Sequence, residues 1–210
     1  MYMNHIPELE SARTYGILGI ILQFVGVAAD IFLHGFGFVI SIAGLILLLL
    51  SIKAISNYYG NNKPFRYILY SIIASIVLGV ATAIMILVLL IPVVQSISTS
   101  SNSSIAISIL LSNIGIILII IFLVMLAILI PIIFEYLAYN EVSNLTGINE
   151  FHTAALLLLI GIILTIIVVG IFLSIVGVII LIIAFNKLPD YAKPVILDHA
   201  DEQDFNSEMN

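Results

Sequence analysis

Two stretches of this chain, Ile105–Phe134 and Thr153–Phe185, contain no Asp, Glu, Lys, Arg or His. A water-soluble fold of 210 residues leaves too much of its surface in water to hide such runs. Uncharged apolar runs of about 18 residues or more are the mark of membrane-spanning segments. Apolar residues make up 62% of the whole chain and charged residues 9%. The expected fold class is therefore all-α, a polytopic transmembrane helical bundle with no separate soluble domain.

The charges lie at the ends and in two short loops, which divides the chain into three parts. Residues 1–13 form an N-terminal tail, 14–188 the transmembrane domain, and 189–210 an acidic C-terminal tail. Most of the net charge of −6 belongs to that tail, where Asp190, Asp198, Asp201, Glu202, Asp204 and Glu208 face only Lys193. It is too polar to fold alone. Its acidity also argues against nucleic acid or anionic lipid as its partner. The absence of Cys excludes disulfides, thiolate metal sites and Cys nucleophiles. No cleavable signal pattern opens the sequence, so the first span is expected to stay in the mature protein.

Four spans are expected over about Tyr15–Leu33, Phe36–Ile55, Phe65–Val94 and Ile105–Tyr136, the last two separated by the polar turn Ser96–Ser104. The remaining stretch, Thr153–Phe185, would be about 50 Å long as one helix, against a hydrocarbon core of about 30 Å. An internal repeat bears on whether it is one span or two. Gly37–Ile55 and Gly170–Leu188 align without gaps, matching Gly37 with Gly170, Ser41 with Ser174 and Gly44 with Gly177. Upstream, GIIL at Gly19–Leu22 recurs at Gly161–Leu164, and ISNYYGNN at Ile55–Asn62 echoes VSNLTGIN at Val142–Asn149. The first hairpin is thus repeated at the end of the chain with its connection shortened. Charge agrees: with six spans and both ends inside, Arg13, Lys53, Lys63, Arg66, Lys187 and Lys193 share the cytoplasmic side. Five spans, with 153–185 as one long helix, would strand Lys187 and Lys193 outside. Six spans are expected, with a turn near Val169–Gly170.

The segment HGFGFVISIAGLILLLLSIKAISNYYGNNKPFRYILYSII, His34–Ile73, together with VSNLTGINEFHTAALLLLIG, Val142–Gly161, resembles an archaeal family of small membrane proteins known only as domain of unknown function 996. The resemblance covers roughly residues 9–187. It implies an archaeal, multi-pass protein of the cytoplasmic membrane and supplies no activity.

Side chains that could carry chemistry are few. Gln23 is the strongly polar group central to the first span, either an interhelical hydrogen-bonding residue or part of a pathway. Asp30 and His34 flank the first external turn, as a solvated interfacial turn or as a proton or metal site; two side chains make a poor metal site. Glu135 and Glu141 near the inner end of the fourth span call for partners such as Lys53, Arg66 or Lys187, because carboxylates there oppose the helix dipole. His152 is expected at the interface. Pro92 and Pro131 mark bends or ends of their spans. Asn102 begins an N-x-S/T glycosylation pattern in the expected external loop. No hydrolase or nucleotide-binding motif is present, so no catalytic, cofactor or metal residue is assigned and no enzyme is expected.

The informative intramembrane pattern is steric. Ser71, Ser75, Gly79 and Ala83 fall four apart along the third span; Gly37, Ser41 and Gly44 line the second, and Gly170, Ser174 and Gly177 the sixth. Small-residue stripes let helices approach closely in lipid, within the bundle or against a second copy or a partner subunit. The expected role is a non-enzymatic accessory, scaffold or assembly component, with lipid and membrane protein as partners and no nucleic acid. The alternative is a channel or transporter for a small or neutral solute, which repeated hairpins would suit.

Overall fold

A computed structural model describes residues 7–33, 36–99, 103–165 and 169–189. Its elements, among the described residues, are helices joined by turns, which is how a chain bonds its backbone internally in lipid. They are α1 (Pro7–Leu33), α2 (Phe36–Tyr58), α3 (Lys63–Met85), a π-helical turn Ile86–Leu90, α4 (Ile91–Ser98), α5 (Ser103–Ser112), α6 (Ile114–Thr146), α7 (Asn149–Leu164) and α8 (Val169–Asn186).

Local chemistry explains the boundaries. Pro7 opens α1 with Glu8 and Glu10 in its first turn, the combination a helix N-terminus favours. The α2–α3 turn needs the left-handed Gly60, φ 64°. It is closed by the Lys63 N–H donating to Asn61 Oδ1 at 3.0 Å and the Phe65 N–H to Ser56 Oγ at 3.3 Å. At Gly147, φ 70°, α6 stops, with the Gly147 N–H donating to the Ser143 carbonyl, as helix ends commonly do. Pro92 lacks an N–H and crowds the carbonyl four residues earlier. The π-helical turn immediately before α4 holds that carbonyl, at Val88, so the chain continues as one helical run, Lys63–Ser98.

Among the described residues, five helical stretches are long and apolar enough to cross a membrane: Glu8–Asp30, Gly37–Tyr58, Lys63–Ser98, Ile114–Thr146 and Val169–Asn186. The sixth, α7, has 16 residues and is about 24 Å long. The protein is a multi-pass helical bundle of the membrane.

Several expected bounds move. The first span starts at Pro7 rather than Tyr15, taking Pro7–Arg13 out of the N-terminal tail; Leu9 and Ala12 are fully buried. The fourth is broken at Asn113, whose side-chain amide donates to the Ile109 carbonyl at 2.8 Å and competes with the helix ladder. The helix beyond it runs ten residues past Tyr136, to Thr146. The stretch 153–185 is not one long helix. It divides between Leu164 and Val169, slightly before the expected turn, and Gly170 is buried inside α8. The C-terminal tail from Asp190 lies outside the described residues.

The helices pair as three antiparallel hairpins, α1 with α2, α3 with α6 and α7 with α8; α2 also meets α3, α6 meets α7, and α8 returns to α1. The buried core gathers at one end. Leu9 and Ala12 from the start of α1 meet Ile52 and Ile55 from the end of α2, Ile68 from α3 and Val142 from α6. Phe151 from α7 and Phe185 from α8 complete it, their rings edge to face at 4.9 Å. Toward the other end the bundle is apolar on its outside: Ile76, Val80, Leu118 and Phe122 are all more than half exposed. Lipid is what covers such a surface.

Candidate functional site

Glycines set how close the hairpin helices come. A Cβ on Gly19 would stand 2.8 Å from the Gly44 carbonyl oxygen and 2.8 Å from the Leu48 nitrogen; one on Gly44 would stand 2.6 Å from the Gly19 carbonyl oxygen. One turn or two further along, Gly26 faces Gly37 and Ser41 in the same way, with the Gly37 carbonyl oxygen 2.7 Å from the missing Cβ. In the last hairpin Gly161 faces Gly170 and Ser174, at 3.0 Å from the Gly170 carbonyl oxygen and 2.9 Å from the Ser174 nitrogen.

These contacts define the repeat. Gly161 occupies the place of Gly26, not of Gly19 as the shared GIIL suggests. Gly26 and Gly37 are eleven residues apart and Gly161 and Gly170 nine, so the connection shortens by two residues. Gly37 packs against the backbone of Asp30, and Gly170 against that of Thr165. Gly44 lies against Gln23, and Gly177 against Leu158. Leu158 is thus the apolar counterpart of Gln23.

The Ser71 stripe behaves differently. Ser71 is buried, whereas Ser75, Gly79 and Ala83 are exposed. A Cβ on Gly79 would meet nothing within 4 Å. Packing inside the bundle accounts for Ser71, which meets Glu135 of α6, whereas among the described residues nothing covers Gly79.

The polar candidates do not converge. Gln23 is half-buried, and among the described residues its Nε2 is buried without a hydrogen-bond partner. Asp30 is exposed two turns away along α1. His34 and Asn102 lie outside the described residues.

The charged groups gather instead at the buried end of the bundle. Lys63 pairs with Glu141 at 3.5 Å, and Lys187 with Glu150. His152 Nδ1 lies 2.8 Å from Asn140 Oδ1, and Arg66 donates to the Tyr70 hydroxyl at 3.0 Å. Ser51 Oγ donates to the Ala12 carbonyl at 2.5 Å, tying α2 to the start of α1. Glu150 precedes the apolar stretch, and its hydrogen bond with Lys187 holds its carboxyl below the usual range. Glu135 accepts a hydrogen bond from Ser71 Oγ at 3.1 Å. The partners expected for the two carboxylates of α6 were Lys53, Arg66 or Lys187; Ser71 and Lys63 take those places, because α3 is the helix that α6 packs against. Lys53 instead lies 5.8 Å over the Phe65 ring. The Asn140–His152 contact and the Ser51 bond depend on how successive helices pack, α6 on α7 and α1 on α2, and carry no local signal.

Among the described residues no group of three or more His, Cys, Asp or Glu could hold a metal ion. A groove of about 320 Å³ between α1 and α8 is lined wholly by apolar side chains, Ile20, Ile21, Phe24 and Val25 facing Ile175, Val178, Ile179 and Ile182.

Comparison with known proteins agrees with the resemblance. The chain is 31% identical over 191 residues to the uncharacterized protein MJ1644 of Methanocaldococcus jannaschii, covering 89% of this chain and 96% of that one. No solved structure matches. The model of a family described as protein of unknown function, DUF996, matches residues 40–184, which leaves α1 outside the matched region while including Ser41, Gly44 and Leu48, three of the residues that face the α1 glycines. The chain belongs to the DUF996 family of proteins of unknown function.

Proposed function

We propose that the protein is a non-enzymatic accessory or scaffold component of the cytoplasmic membrane that works by packing against another membrane protein or a second copy of itself, with both termini in the cytoplasm. The observation that carries this reading is the uncovered face of α3. Ser75, Gly79 and Ala83 present small side chains at four-residue spacing with open space over Gly79, the surface on which helices associate in lipid. The orientation is supported by Arg13, Lys53, Lys63, Arg66 and Lys187, which lie at the same end of the bundle and would face the cytoplasm.

The chain has no Cys, so a single Cys placed at Gly79 or Ala83 is a unique probe. Cross-linking from Gly79→Cys in native membranes should capture a defined membrane protein or a second copy. A control Cys at Val77, exposed on another face of α3, should not. Equal capture from both positions, or none from Gly79, would count against the packing role.

A second reading, passage of a small or neutral solute, is favoured by the Gln23 Nε2, buried without a hydrogen-bond partner among the described residues. Solute flux into liposomes containing the purified protein, abolished by Gln23→Leu, would promote it over the first.

A further inference from the structure

The charged end of the bundle supplies a ruler for depth along α3 and α6. Lys63, the first residue of α3, meets Glu141. Eight residues further along α3, Ser71 meets Glu135, which is six residues back along α6. At 1.5 Å per residue the second contact lies about 9–12 Å beyond the first, toward the lipid-covered part of the bundle. Glu135 stands 11 residues before the end of α6, not near its terminus. Its surroundings are apolar: Ile68 and Ile132 are buried beside it, Pro131 is buried one turn away, and the Tyr70 and Phe134 rings meet edge to face at 5.8 Å on the flank.

An ionised carboxylate accepts about four hydrogen bonds, and inside a membrane it is retained where it is used. Here, among the described residues, Ser71 Oγ is the donor and no basic side chain pairs with it. None of the titratable and charged groups on the elements around it is a cation paired with it among the described residues, and one of them, Tyr139, lies one turn away on α6, close enough to interact electrostatically. On α6 these are Tyr136, which faces His152, Tyr139, stacked on Phe151, and Glu141, paired with Lys63. On α3 they are Tyr67, Tyr70 and Arg66, the last two bonded to each other. On α7 they are Glu150, paired with Lys187, and His152, held by Asn140.

We propose that Glu135 is a proton-binding site within the membrane-spanning part of the protein, held against α3 by Ser71. This goes beyond the packing role and does not depend on it. The test is chemical modification of the full-length protein in liposomes with dicyclohexylcarbodiimide, an apolar reagent that reacts with protonated carboxyl groups, followed by peptide mass mapping. The expected result is an adduct on Glu135 whose yield falls in reactions run at progressively higher pH, over the range where the protein stays folded, and recovers when the protein is returned to lower pH before the reagent is added. Glu135→Gln should lose the adduct, while a water-soluble carbodiimide should modify Glu141 and Glu150 in preference. If Glu135→Gln does not fold, the wild-type map decides alone. No adduct on Glu135 at any pH where the protein is folded, or a yield that does not change with pH, would overturn the proposal.

Discussion

Gly19 and Gly44 each occupy the space that a methyl group on the other would need, with backbone on both sides. Backbone cannot step aside as a side chain can, so an added methyl must push α1 and α2 apart and forfeit the dispersion contacts between them. Gly44→Ala should therefore lower stability in mild detergent by about 1–3 kcal/mol, the usual cost of overpacking. Gly177→Ala is a gentler case, because the added Cβ would meet the Leu158 side chain at 3.1 Å and its backbone nitrogen at 3.2 Å, a misfit of only a few tenths of an ångström, and should cost about 1 kcal/mol or less. Gly79→Leu meets open space and should leave the thermal stability of the isolated protein unchanged or slightly raised, since Leu favours helix over Gly. Thermal melts of the three variants check the order; a large loss for Gly79→Leu would mean that the face is occupied by protein even after purification. Gln23 gives a fourth variant. The last hairpin carries Leu158 in its place, and the Gln23 Nε2 lacks a partner among the described residues. Gln23→Leu should thus stabilise the protein by about 1–3 kcal/mol, the cost of an unsatisfied buried donor. Destabilisation would show that the amide is bonded in the membrane.

The α7–α8 hairpin is clamped at one end by Glu150 and Lys187 and at the other by the Gly161–Gly170 crossing. Because Lys187 lowers the Glu150 carboxyl below its ordinary value, the pair adds stability above the unfolded value, and that contribution is lost as the pH falls through the folded one. Melting temperature followed from neutral pH into the acid range should show this loss in the wild type and less of it in Glu150→Gln; identical profiles would remove the pair from the account. The elements themselves were largely legible in the sequence, because charge-free runs and the spacing of Gly and Ser report burial in lipid and close approach directly. The break at Asn113 was not, since one polar residue inside an apolar run does not announce whether its amide will compete with the backbone. The partner of Glu141 was not legible either: Lys63 and Glu141 are brought together by α3 packing on α6, and charge alone left several cations equally eligible. The repeat was visible, but its register in the first helix was not. Four letters, GIIL, are common in membrane sequence, whereas the contact of Gly161 with Ser174 and Gly170 is specific.

At the scale of the whole molecule, the tight core lies where six helix ends meet, and the opposite end loosens into α4, α5 and the first half of α6. An arrangement with its polar pairs at one end and exposed apolar residues elsewhere has a defined direction across a bilayer. It also places the end of α8 beside the end of α2 and the start of α1: Phe185 lies against Gly16, and Leu188 is buried with Ile55 in the same core. Both ends of the described chain therefore lie at one end of the bundle, with α7, of 16 residues, as the short member of the last hairpin. Its length of about 24 Å falls short of a core of about 30 Å. Local thinning of the bilayer absorbs part of that mismatch at a modest cost, and packing against α6 and α8 on its flanks limits how much of α7 faces lipid. The prediction is that Asn57→Cys and Asn186→Cys, both at exposed positions near the core end, share one accessibility and Ser98→Cys, at the far end of α4, has the other. In intact cells an impermeant maleimide should label Ser98→Cys alone, and permeabilising the cells should expose the other two. Labelling of Asn186→Cys from outside, with Asn57→Cys protected, would mean that α7 and α8 do not both cross, and would leave five spans with the chain's end outside.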